Sequence, residues 1–111
     1  MQTSVPLHQA KADLFRTLGH PTRIRVLEIL SEEPTSVRDL LAELDIESSN
    51  LSQQLAVLRR AGLVTSSREG SVVVYSLNTP HVVELLAAGR SILESMLSDA
   101  EGLLNELRDS T

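Results

Sequence analysis

Ser48-Ser49-Asn50-Leu51-Ser52-Gln53-Gln54-Leu55-Ala56-Val57-Leu58-Arg59-Arg60-Ala61-Gly62-Leu63-Val64 holds the change of period around which the rest of the chain is organised. Leu51, Leu55 and Leu58 recur at i, i+4 and i+7, the spacing of one helical face, and Gly62 ends the run. With those leucines buried, the helical wheel turns Ser49, Gln53 and Arg60 outward and leaves Asn50 and Ser52 on the flanks.

Just upstream, Thr35-Ser36 offers a cap for a short helix that buries Val37, Leu40, Leu41 and Leu44, and Asp45-Ile46-Glu47 reads as a tight turn. Two short helices joined in this way form a helix-turn-helix pattern. Just downstream, residues 63–68 and 71–77 are rich in β-branched side chains and flank Glu69-Gly70, which predicts a two-stranded β-hairpin, the candidate wing.

The flanks are helical. Leu7, Leu14, Phe15 and Leu18 share a face and predict a first helix over 7–18. Gly19-His20-Pro21 separates it from a second helix that carries Ile24, Val26, Leu27, Ile29 and Leu30 to about Ser31. Asn78-Thr79-Pro80 caps a long final helix to about Leu107. In it Leu86, Leu93, Ala100 and Leu107 recur every seven residues, with Met96, Leu97, Leu103 and Leu104 alongside. So wide a stripe on so small a domain calls for a partner helix. Gly89 inside it costs about 1 kcal/mol of helix stability relative to Ala, so either a partner approaches closely there or the flaw is tolerated. The expected fold is thus mainly α with a β-hairpin wing: a winged helix-turn-helix of about five helices and two strands, one domain over 1–111, whose last helix calls for a partner.

Composition narrows the function. With no cysteine, the chain has no disulfide, thiolate nucleophile or Cys-based metal site. No window approaches a membrane span and Met1-Gln2-Thr3-Ser4 does not open a signal peptide, so the expected partners include no membrane and the expected compartment is the cytoplasm. There is no Gly-rich phosphate loop and no His beside a Ser or acid in a catalytic motif, so catalytic residues are expected to be absent and no cofactor is assigned. The net charge of −5 at first argues against nucleic acid, whose phosphates demand cations. Acidic residues, however, gather in 28–47 and 84–109, whereas 48–70 holds Arg59, Arg60 and Arg68 against Glu69 alone. A basic face on an acidic body is compatible with DNA. A winged helix used only for protein contacts is the rival that the acidity favours.

A helix of this size fits the major groove, where polar side chains projecting from it read base edges. Ser48, Ser49, Asn50, Ser52, Gln53, Gln54 and Arg60 are the candidate contacts from the helix and Arg68 the candidate contact from the wing. A capped amphipathic helix with a solvated polar face, beside a solvated hairpin arginine, is the plainer alternative. Arg23 and Arg25 either reach phosphate or pair with Glu28, Glu32 or Asp39, and Arg38 stays open between such roles.

Two long runs, 14–30 from Leu14-Phe15-Arg16 through His20-Pro21-Thr22-Arg23 to Ile29-Leu30 and 51–64 from Leu51-Ser52-Gln53-Gln54 to Leu63-Val64, followed by Glu69-Gly70 and Val74-Tyr75-Ser76-Leu77, resemble the ArsR/SmtB winged-helix repressors. The resemblance implies a homodimer on a double-stranded DNA operator, with an interface from the first and last helices, here Leu7, Leu14, Leu86, Gly89, Leu93, Met96, Leu97, Ala100, Leu103 and Leu104. It also implies repression relieved by an inducer, a small molecule or a protein that the residues do not identify. The metal box of many members is here Ser36-Val37-Arg38-Asp39-Leu40, and the places of their zinc ligands on the last helices hold Thr79, His81, Ile92 and Ser95, one ligand of four. No metal site is therefore expected, since a lone imidazole does not hold a structural ion. His20 and His81 read as turn and first-turn residues, and a His8–His81 pair across the dimer stays open.

Overall fold

The computed structural model describes residues 4–109. Its elements run α1 (Leu7–Leu18), α2 (Pro21–Glu32), β1 (Thr35–Ser36), α3 (Val37–Leu44), α4 (Ser48–Arg60), β2 (Val64–Glu69), β3 (Val72–Leu77) and α5 (His81–Asp109). Each boundary has a local cause. Pro21 occupies the first turn of α2, and the Nδ1 of His20 accepts the backbone N–H of Thr22 at 3.2 Å, which makes His20 the cap of that helix. At α3 the Oγ of Ser36 accepts from the backbone N–H of Asp39 at 3.1 Å, and Asp39 itself lies in the first turn, where the helix dipole favours an anion. Asp45 ends α3 in the left-handed region (φ 51°), a conformation that Asp tolerates better than most residues, and so turns the chain into α4.

The end of α4 is a Schellman motif: Gly62 at φ 79° donates to the carbonyl of Arg59, and Leu63 donates to the carbonyl of Leu58. Leu58 and Leu63 are both buried, which supplies the apolar contact that usually accompanies the motif. The hairpin turns on Gly70-Ser71, with Gly70 at φ 67° in the first central position, as a type II′ turn requires. Register runs from Val64 opposite Leu77 to Glu69 opposite Val72.

Two features depart from the expectation. Thr35–Ser36 caps α3 but is also a strand, pairing Thr35 with Tyr75 and Ser36 with Val74, so the wing belongs to a three-stranded antiparallel sheet of order β1-β3-β2. Asn78 does not cap the last helix. Its backbone N–H donates to the Leu63 carbonyl and its Nδ2 to the Gly62 carbonyl, both at 2.9 Å, and Thr79 accepts the N–H of His81 in its place.

The core joins Leu18, Val26, Leu27, Leu30, Leu40, Leu51, Leu55, Leu58, Leu63, Val64 and Val82. Fully burying one such side chain stabilises the fold by about 1.5–3 kcal/mol, so the three α4 leucines fix which face of that helix looks out. From α5 only Val82, Leu85 and Leu86 reach this core; the rest of the 29-residue helix projects beyond it. The Cα radius of gyration is 18.3 Å, against about 13 Å for a compact chain of this length, and the longest dimension is 66 Å. Among the described residues no helix is long and apolar enough to cross a membrane.

Candidate nucleic-acid interface

The α4 leucines anchor one side of the helix, and the opposite side is uncovered. Ser48, Ser49, Ser52, Gln53, Arg59 and Arg60 are exposed, Asn50 is half-buried on the flank, and Arg68 is exposed on β2 beside the wing turn. The backbone N–H groups of the first turn point out of the same end, where side-chain capping is absent. Arg59, Arg60 and Arg68 form no ion pair among the described residues, so their charge is available to an outside anion. Arg59 and Arg60 lie in the last turn of α4, the end at which the helix dipole favours cations.

Gln54 is a correction to the expected contact set. It is 9% exposed and lies on the buried side of α4, because position 54 falls between Leu51, Leu55 and Leu58. Its Oε1 accepts from Nη1 of Arg23 at 3.0 Å and its Nε2 donates to Oδ1 of Asn50 at 3.0 Å. Arg23 also donates through Nε to the Thr17 carbonyl at the end of α1, at 2.7 Å. A buried polar side chain of this kind is stable only when satisfied, and no buried side-chain nitrogen or oxygen among the described residues lacks a partner. Arg23 is thus a structural clasp between α1, α2 and α4, whereas Arg25 pairs with Glu28 at 2.7 Å on the surface, a contact worth at most about 1 kcal/mol.

Arg59 is the residue that composition flagged but the contact set omitted. Ser52, Ala56, Arg59, Arg60 and Tyr75 line a groove of about 410 Å³ between α4 and β3. The signal was available, since Ser52, Ala56 and Arg59 stand at i, i+4 and i+7; the Tyr75 wall depends on strand register. Arg38 is exposed at the start of α3 and, with Val37, Ser71, Val72 and Val73, lines a second groove between α3 and the wing.

On the far side, Leu7, Leu14, Leu93, Met96, Leu97, Leu103 and Leu104 are exposed, most of them to 59% or more, as are Ile92 and Leu107. Gly89 and Ala100 lie on the same uncovered helix, and nothing comes within 4 Å of a Cβ built on Gly89. Leu86 is half-buried: part of it packs on the protein's own core, because the first turns of α5 are rooted there, and the remainder is uncovered. His81 lies 3.3 Å from Glu84, and no group of three or more potential metal ligands converges among the described residues.

Residues 20–66, from the α2 cap into β2, match the family model described as bacterial regulatory protein, arsR family. An HTH-type transcriptional regulator of Mycobacterium tuberculosis, Rv0081, is 51% identical over 106 residues, covering 95% of this chain and 93% of that one. The crystal structure of M. tuberculosis Rv0081 superposes with a TM-score of 0.80 at 52% identity, over 86% of this chain and 97% of that chain. The transcriptional repressor BigR from Xylella fastidiosa superposes with a TM-score of 0.72 at 34% identity, over 77% of this chain and 87% of that chain.

Proposed function

This chain belongs to the ArsR family of bacterial regulatory proteins, and on that premise we propose that it is a homodimeric repressor that reads an imperfect palindrome through α4. The observation that carries the reading is the polar, uncovered side of α4, continuous with the unpaired Arg59, Arg60 and Arg68. Ser, Asn and Gln both donate and accept at base edges, and arginines supply the phosphate contacts that fix register. Each dimer presents two such helices, so half-sites lie about 10–11 base pairs apart, one turn of B-DNA.

The pairing surface is the apolar stripe of α5 together with α1. A helix whose outer two-thirds carries leucines and methionine with no covering element among the described residues is stabilised by burying them against a copy. With no cysteine in the sequence there is no thiolate for a soft metal, which supports a signal other than a thiolate-bound ion. The regulator's signal is a small molecule, a partner protein or the level of the protein itself.

Fluorescence anisotropy with duplex from the protein's own promoter region tests the central claim. Affinity falls steeply with salt, with a log–log slope of about −0.9 for each phosphate contacted. A flat salt response, or no binding in dilute buffer, favours the protein-interaction alternative and removes this one.

A further inference from the structure

We infer that Asn50 addresses the operator as a hydrogen-bond donor, its amide turned outward by a relay that starts at Arg23. The inference rests on the proposed DNA reading and goes beyond it by fixing which end of one side chain faces the nucleic acid and what it recognises there.

A guanidinium has donors only. Nη1 of Arg23 lies 3.0 Å from Gln54 and Nε is held at 2.7 Å by the Thr17 carbonyl, so the carbonyl oxygen of Gln54 must face Arg23. The NH₂ of Gln54 therefore points the other way, at Asn50, 3.0 Å off, where only an oxygen can receive it. Asn50 turns its Oδ1 inward as a result. Reversing either amide would set donor against donor in a part-buried site, leaving a polar group unsatisfied.

The remaining end of Asn50 is its Nδ2. It has no partner among the described residues, and since no buried side-chain nitrogen there is unpartnered, it is open to solvent. Asn50 is the third residue of α4, in the first turn, the part of a recognition helix that meets base edges. Two donor hydrogens are thus held toward the groove by a chain anchored in α1 and α2. Their complement is an acceptor: a purine N7, guanine O6, thymine O4 or a phosphate oxygen. Arg23 and Gln54 act as positioning residues through Asn50.

The test uses the full chain and the duplex that wild-type protein enriches from a random pool. Asn50→Asp keeps an oxygen for Gln54 but removes the outward donor, and affinity for the enriched duplex falls about tenfold or more. Gln54→Glu keeps the Arg23 partner but cannot donate to Asn50; operator affinity falls several-fold while affinity for random duplex changes less. Replacing half-site purines by 7-deazapurines, guanine by 2-aminopurine, thymine by 4-thiothymine, or single phosphates by methylphosphonates, locates the acceptor: the replacement that weakens wild type about tenfold has little further effect on Asn50→Asp. In the free protein, side-chain amide exchange is slow at Gln54 Nε2 and fast at Asn50 Nδ2. Wild-type binding by both variants, fully additive losses in every duplex, or a protected Asn50 amide overturns the inference and leaves DNA binding standing. If wild type enriches no duplex, the DNA reading falls and this inference with it.

Discussion

Leu97→Ala probes the pairing surface at a position that contributes nothing to the protein's own core. Leu97 is 67% exposed, and its neighbours along the stripe, Leu93 and Met96, are exposed to a similar degree. Full burial of a leucine side chain is worth about 1.5–3 kcal/mol, so covering the two-thirds now in water and then truncating to alanine loses about 1–1.5 kcal/mol per copy. A symmetric dimer contains the change twice, giving about 2–3 kcal/mol, or a 30- to 150-fold weaker dimer at 1.4 kcal/mol per decade. Sedimentation velocity over a concentration series reads this directly, with Ser98→Ala, on the opposite side of α5, as the control that stays at the wild-type value. An unchanged dissociation constant for Leu97→Ala, or an equal loss in the control, refutes the assignment of this face to a second copy.

Gln53→Ala removes an exposed side chain at the centre of the α4 outer face and costs about 1–3 kcal/mol on the enriched operator with little change on random duplex, as competition anisotropy measures. Gly62→Ala forces a Cβ into the left-handed region (φ 79°) with no compensating contact, so the fold loses about 1–2 kcal/mol, read as a Tm lower by roughly 4–8 °C at fixed protein concentration. The two glycines of α5 separate by face. Gly89→Leu weakens dimerisation in sedimentation runs, because it puts bulk on the apolar stripe. Gly102→Ala, on the other side with nothing near its Cβ, raises Tm by an amount equivalent to about 1 kcal/mol or less of helix propensity.

Periodicity and turn chemistry carried most of the architecture into view before any coordinates. The Leu51, Leu55, Leu58 spacing and the Gly62 stop define α4, and the Gly70 turn between β-branched runs defines the wing, because these signals are local. What escaped is non-local. β1 is two residues long, too short for any period, and exists because β3 has a second edge to pair. The chemistry of Gln54 suits DNA, although its position, three residues after Leu51 and four before Leu58, places it on the inner face. Its satisfaction by Arg23, 31 residues away, leaves no trace in local sequence. Leu86 shares the heptad spacing of the stripe, and its additional packing on the protein's own core is invisible in that spacing.

The two bonds of Asn78 bear on how operators can vary. They tie the foot of the hairpin to the Gly62-Leu63 cap that follows the neighbouring helix, at the point where Leu63 is itself locked to Leu58. On the proposed DNA reading, this tie makes helix and wing approach the duplex as one unit. On that reading, a site with altered groove width at the wing is met poorly by a local flex. It has to be met by bending of the DNA or by a change in the distance between the two heads of the pair, so tolerance for imperfect half-sites depends on how firmly the long helices hold the protomers apart.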